Sequence, residues 1–399
     1  MKIRLFKNTA LLILISITQV ACHSPAKISG RLEGKEMKNV KIYLIEPEVL
    51  REVAASFFGK VIDSAVVNSD GSFEFHPEAS GPRTKEPVLL ELVIQTSGKA
   101  PTYLETDDPS KSNYMPILWQ MGEPMQITAK LEEFQKSFTI DQPSEINKAL
   151  LDLRDINQKA YQNYLAGKHW QLKDGSQLLE KEHAILLYQT ELINFAKNSV
   201  YLLPALVALS WVSPERDYER VPEFLVNQCN KWKETQADHP WVKELCNESD
   251  PSNLPVLVGD VFPNLKLPML TKDTLSIKDQ LGKKLTIIDL WASWCAPCRK
   301  ENREVLVPIW NEYHNLGLQI VAYALESDES AWRAAAEHDG ADRWNQASDL
   351  QGDDAAFLKK IRVRTIPANF ILNEKGIVIA KNLHGEALMN LVKSYLKKN

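Results

Sequence analysis

The chain has 399 residues, more than one hydrophobic core usually organises, so two or three domains are expected. Its 47 basic and 52 acidic side chains are interspersed and leave a net charge of −5. That balance offers no extended basic face to nucleic acid and no acidic tail.

In chain order, Lys2, Arg4 and Lys7 precede an apolar run over residues 10–17 and then Gln19-Val20-Ala21-Cys22, the order of an export signal. The apolar run is far shorter than the ~20 residues a spanning helix needs, so residues 1–21 read as a removable signal rather than a permanent anchor. Ala21-Cys22 resembles a bacterial lipobox, which implies cleavage before Cys22 and lipid attachment to it. Gln19 departs from the aliphatic residue usual in that motif. A plain secretory signal that leaves Cys22 without lipid is the alternative.

Residues 22–142 alternate in short runs, with Val40, Ile42 and Leu44, then Val66-Val67, Phe73 and Phe75, then 88–95 and 125–131. These predict strands joined by turns, and Asp70-Gly71 is a strong hairpin signal because glycine tolerates positive φ. A small antiparallel β-sandwich is expected. It carries no histidine cluster, serine elbow or phosphate-cradling loop, so it is read as a unit that docks, spaces or recognises.

Past Pro143 the spacing becomes helical, with Ile146, Leu150, Leu153 and Ile156 on one face and Ser144 as N-cap. Further helices are predicted over 176–197, 201–211 and 222–234, making 143–250 a helical segment whose aromatics read as core filling. The stretch 247–255, with two prolines, marks the boundary before a C-terminal domain at 254–399. There the pattern predicts strand 285–290, helix 295–315, strand 318–325, helix 330–338, helix 354–361, strands 368–372 and 377–380, and helix 386–397. Residues 261–281 add a hairpin and a short helix. Such an alternation ending in a hairpin and a helix implies a mixed sheet with helices on both faces.

Trp294-Cys295-Ala296-Pro297-Cys298 sits where the strand over 285–290 gives way to a helix. A cysteine in the first turn of a helix faces unpaired N–H groups and the positive end of the macrodipole, which stabilise its thiolate. Cys295 is therefore the attacking sulfur, and Cys298, nearly one turn on, is the resolving thiol. Asp289 lies in an apolar strand, where a carboxylate is costly unless used or paired. A role in accepting the Cys298 proton is favoured over that of an idle exposed residue. Glu301 follows Cys298 by one helical turn; it either opposes thiolate formation or is a solvated helix charge. Pro367 opens a strand, where no ladder donor is needed. Cys229 and Cys246 remain, either as a structural disulfide across the Asp238-His239-Pro240 break or as two buried free thiols.

Residues 254–399 resemble the TlpA/ResA-type thioredoxin-like family of membrane-attached thiol-disulfide oxidoreductases. The resemblance is carried by Val258-Gly259-Asp260 with Pro263, by Trp291-Ala292-Ser293-Trp294-Cys295-Ala296-Pro297-Cys298-Arg299, and by Thr365-Ile366-Pro367. It implies a thioredoxin-like fold, a cis Pro367 facing the dithiol and Ile366 backbone groups offered to substrate, and Trp294 is read with Ile366 and Pro367 as substrate-binding. It also implies an acid at Asp289 and a functional glutamate at Glu301. Ala296 stands where glycine, proline or glutamate is usual, a position that tunes potential.

No second cysteine pair completes a zinc site, Arg299 replaces the histidine that haem attachment requires, and no peroxidase signature is present. The expectation is a cofactor-free, metal-free thiol-disulfide oxidoreductase of the bacterial cell envelope. It would face the periplasm, reduce exported proteins and be re-reduced by a membrane thiol transporter. Thiol oxidation or disulfide isomerisation is the runner-up. A binding lipoprotein with a regulatory redox domain is the alternative of another class.

Overall fold

The computed structural model describes residues 27–398 apart from 36, 55–57, 78–83, 97, 107 and 172–176. The predicted signal at 1–21 and the expected lipid acceptor Cys22 lie outside the described residues. Among the described residues, no helix is long and apolar enough to cross a membrane.

Eight strands come first: β1 Ile28–Glu33, β2 Lys41–Glu46, β3 Lys60–Val66, β4 Ser72–Phe75, β5 Val88–Gln95, β6 Tyr114–Trp119, β7 Met125–Lys130 and β8 Thr139–Ile140. They form two four-stranded sheets, ordered β4-β1-β7-β8 and β3-β2-β5-β6. In β7 every second residue is buried, the period expected of a strand with one face on a core. Gly71 takes φ +83° in the β3–β4 turn, and a Cβ there would run into the Leu32 carbonyl, so both the turn and its docking need glycine. The expected all-antiparallel pairing needs one correction, because β1 and β7 run parallel. After β1 the chain runs through β2 and β3 of the other sheet, returns as β4 antiparallel to β1, crosses again through β5 and β6, and comes back as β7 parallel to β1.

Helices α1 Glu145–Tyr164, α2 Leu178–Asn198, α3 Leu202–Val212, α4 Pro222–Thr235 and α5 Pro240–Glu248 follow. Ser144 Oγ caps α1 by accepting from Asn147 N at 3.4 Å. The Asn147 side chain in turn takes the Leu118 N–H at 3.0 Å and gives to the Leu118 carbonyl at 2.7 Å, covering the free edge of β6. α3 is apolar on every face apart from Ser210, and all its residues but half-buried Leu203 are buried. The helices thus share the sheets' interior: one apolar cluster runs from Ile28 to Leu254 and a second from Phe262 to Leu396. A disulfide joins Cys229 of α4 to Cys246 of α5, with Cα atoms 5.0 Å apart.

The C-terminal unit holds a hairpin, β9 Lys266–Pro268 with β10 Thr274–Ser276, and a sheet made of β11 Leu285–Trp291, β12 Leu318–Ala324, β13 Asn345–Ala347, β14 Ala368–Asn373 and β15 Val378–Lys381. Its order is β13-β12-β11-β14-β15, with β11 parallel to β12 and antiparallel to β14. The central β11 is buried at every position, as a strand covered on both faces must be. Helices α6 Ala296–Glu301, α7 Val307–Tyr313, α8 Glu329–Asp339, α9 Ala356–Ile361 and α10 Gly385–Lys398 complete the mixed fold.

Among the described residues, one buried acid in the N-terminal unit belongs to no ion pair. Glu91 on β5 accepts the Ala54 N–H at 2.5 Å, and burial, partly opposed by that bond, pushes its carboxyl up to about 8. Between about pH 4.5, the ordinary value, and about pH 8 the unfolded chain ionises while the folded carboxyl keeps its proton. Stability therefore falls as pH rises across that window. Glu91→Gln, which keeps an acceptor for Ala54, is expected to gain stability over wild type by a few kcal/mol at pH 8.5 relative to pH 4. Denaturant melts at both pH values check this; a pH-independent difference would contradict it.

Candidate active site

The register of β11 against β14 decides where the site lies. Leu290 pairs with Ala368, so the loop leaving β11 and the Arg364-Thr365-Ile366-Pro367 loop entering β14 share one end of the sheet. The Ile366–Pro367 peptide bond is cis.

From β11 the chain turns through Ala292, whose carbonyl accepts the Cys295 N–H at 3.1 Å, and enters α6. Cys295 occupies the N-cap, its sulfur 3.3 Å from the Cys298 N–H, and Pro297 in the first turn forfeits a donor that would be unpaired anyway. The two cysteines form a disulfide with Cα atoms 5.3 Å apart. Both are nearly covered, Cys295 5% and Cys298 3% exposed, whereas Trp294 is 63% exposed. Sequence position suggests a more open Cys295 than this. With near-equal burial, the distinction between the sulfurs rests on the helix terminus rather than on exposure.

Asp289 sits on β11 between Ala322 and Asn369 and is almost wholly buried. Burial, with the nearby Glu301 charge adding to it, holds its carboxyl well above the ordinary range. That environment favours the neutral form of Asp289 over its charged form in the disulfide state. Glu301, also buried, is partnered: His384 Nδ1 lies 2.8 Å from its Oε2, and the Gly385 N–H donates to Oε1 at 3.3 Å. The reading of Glu301 as a solvated charge is thereby excluded. The side chain of Asn369, opposite Asp289, bonds both the carbonyl and the N–H of Leu383, fixing the segment that carries His384. Directly after Glu301 comes a π-helical turn, Asn302–Leu306, and then Pro308, whose missing N–H breaks the regular ladder.

A second cluster stiffens the dithiol loop. Arg299 donates to the Ser293 carbonyl at 3.1 Å and pairs with buried Asp339, which also takes Arg303 at 2.7 Å. Burial alone would raise the Asp339 carboxyl, but hydrogen bonds from Arg299, His338 and Arg303 outweigh it and hold the group below its ordinary value. Buried Glu326 accepts the Ser293 N–H. None of His384, Asp339 or Glu326 stands out in the sequence, because each acts across 33 positions or more and leaves no local pattern. Among the described residues, no group of three or more His, Cys, Asp or Glu side chains is placed to hold a metal ion.

Residues 257–393 match the family model described as Redoxin. The C-terminal domain is a redoxin domain of the thioredoxin-like, thiol-disulfide oxidoreductase kind. The thiol-disulfide oxidoreductase ResA of Bacillus thuringiensis subsp. konkukian is 29% identical over 146 residues, 35% of this chain and 78% of that protein. The thiol:disulfide interchange protein DsbE of Pseudomonas fluorescens biotype C is 26% identical over 133 residues, 32% and 68% respectively. The crystal structure of the thioredoxin domain of a thiol-disulfide oxidoreductase from Bacteroides vulgatus is 28% identical and covers 35% of this chain and 99% of that one, with a TM-score of 0.33. The family match leaves the N-terminal unit outside the redoxin domain.

If Glu301 raises the Asp289 carboxyl through its charge, Glu301→Gln in the disulfide form should shift the Asp289 titration downward, read by carboxyl NMR. An Asp289 titration that stays in place would show that the two groups do not couple.

Proposed function

We propose that the protein reduces disulfides in exported proteins through the Cys295/Cys298 dithiol. The observation that carries this reading is a cysteine at a helix N-cap, bonded to a second cysteine one turn on, in a redoxin domain with a buried carboxyl, held above its ordinary range, on the adjoining strand.

In the reduced enzyme the Cys295 thiolate attacks one sulfur of a substrate disulfide. That S–S bond breaks, a Cys295–substrate bond forms, and the departing substrate thiolate takes a proton from water. Cys298 then gives its proton to ionised Asp289 and attacks the Cys295 sulfur. The second substrate thiolate leaves, two electrons have passed to the substrate, and the Cys295–Cys298 disulfide remains with the proton on Asp289. Re-reduction runs the steps backwards, Asp289 returning its proton to the Cys298 leaving group. Trp294, Pro367 and the Ile366 backbone are assigned to substrate contact, and Glu301 to setting the charge state of Asp289. No bound organic cofactor takes part.

The same reading places the protein in a bacterial cell envelope, facing the periplasm, lipid-anchored through Cys22 and supplied with electrons by a membrane thiol transporter. The relatives named for thiol-disulfide exchange support the reaction class. Its direction depends on potential, which in thioredoxin-like couples runs from about −270 mV for reductants to about −120 mV for oxidants.

In dithiothreitol-driven insulin reduction, Cys295→Ser is expected to fall to the uncatalysed rate, while Asp289→Asn slows resolution of the mixed disulfide by about 100-fold. A Cys295→Ser variant as active as wild type would remove the enzymatic reading.

A further inference from the structure

We propose that Glu219 and Arg220 of the N-terminal unit are positioning residues for the substrate-contact loop of the redoxin domain. The N-terminal unit thereby becomes part of the substrate site rather than a spacer. This proposal rests on the thiol-disulfide reading of Cys295 and Cys298.

The loop is Arg364-Thr365-Ile366-Pro367, and the N-terminal unit holds it from both sides of Ile366. On one side Glu219 Oε1 accepts the backbone N–H groups of Arg364 at 3.2 Å and Thr365 at 3.1 Å, while Oε2 accepts Arg364 Nε at 3.1 Å. On the other, Arg220 Nη2 donates to the Pro367 carbonyl at 3.1 Å. Among the described residues, the Ile366 N–H and C=O take no hydrogen bond, so the backbone groups left for an incoming chain lie between two clamped positions.

The clamp is built into the fold. The Glu219 side chain is only 7% exposed, and a buried carboxylate is tolerated because three donors meet it. Arg220 spreads its planar fork over the Pro367 carbonyl, Asn382 Oδ1 at 3.1 Å and Glu182 at 3.3 Å, a reach that one compact ammonium cannot duplicate. Asn382 N donates to the Asn369 carbonyl at 2.9 Å, so the same guanidinium is tied to the strand facing Asp289. A further ion pair, Glu223 to Lys381 at 2.7 Å, holds the two units together alongside. A loop fixed in this way is set for the substrate chain before it arrives, which lowers the ordering cost of binding.

The test uses the full chain and three readouts: insulin reduction, reaction with the small disulfide 5,5′-dithiobis(2-nitrobenzoate), and the midpoint potential of the Cys295/Cys298 couple. Glu219→Ala and Arg220→Ala are expected to lose about 10- to 100-fold in kcat/KM on insulin, chiefly through KM. Their small-disulfide rate and potential should stay within about twofold of wild type, as expected when positioning rather than sulfur chemistry is lost. Glu219→Gln, which keeps an oxygen for both loop N–H groups, should recover most of the insulin activity. Arg220→Lys, one donor against a fork, should lie between Ala and wild type, so these two variants carry the test if the alanine forms do not fold. Unchanged insulin kinetics would overturn the proposal. Parallel losses in all three readouts, or a glutamine variant no better than alanine, would do the same. An active Cys295→Ser would instead overturn the dithiol reading beneath it.

Discussion

On the proposed reading, the placement of Cys295 at the head of α6 is the constraint on which the chemistry of the C-terminal unit depends. A helix start leaves backbone N–H groups without partners, and here one of them, on Cys298, points at the Cys295 sulfur. A thiolate at that point gains a charge-dipole interaction that a thiol lacks, which makes it both a nucleophile and a leaving group. For this to matter, the loop before the helix must not drift. The Arg299–Asp339 pair, the Arg299 bond to Ser293 and the Glu326 bond to the Ser293 N–H supply that constraint from three directions.

Beneath the sulfurs, the sheet register turns separate residues into one site. Asp289, Asn369, Leu383, His384 and Glu301 follow one another through strand pairing and hydrogen bonds, from the middle of β11 to the end of α6. Two buried acids on such a path cannot both carry full charge without cost. Their surroundings differ accordingly. Glu301 has a histidine and a backbone N–H, while burial raises the Asp289 carboxyl well above its ordinary range. On the proposed mechanism such a carboxyl takes up and returns the Cys298 proton.

Much of this is visible in the residues, for identifiable reasons. β7 alternates because one face is wet, α1 begins at Ser144 because a hydroxyl caps its N–H groups, and the Asp70-Gly71 turn needs a positive φ. The cysteine pair announces itself by spacing, and Asp289 by being polar within an apolar strand. Other elements carry no local signature. β6 contains Pro116, which argues against a strand until the sheet edge covered by Asn147 is seen. β1 is obscured by Gly30, which packs against Ile127 and Phe73, and β13 is a three-residue polar strand anchored by Gln346, which accepts from Trp291 Nε1 at 3.2 Å. His384, Asp339 and the grip of Glu219 on the loop at 364–365 depend on contacts between distant segments, which periodicity does not encode. By pattern alone the helices of 143–250 form a segment apart; their shared core with the two sheets is a tertiary fact.

The central claim is that Cys295 forms a covalent bond to substrate. The direct measurement is a trap: the full chain carrying Cys298→Ser, reduced and then mixed with an oxidised protein substrate, is digested without reductant and mapped by mass spectrometry. The expected product is a disulfide between Cys295 and a substrate cysteine. A Cys295 left free, or an adduct on Cys229 or Cys246 instead, would contradict it.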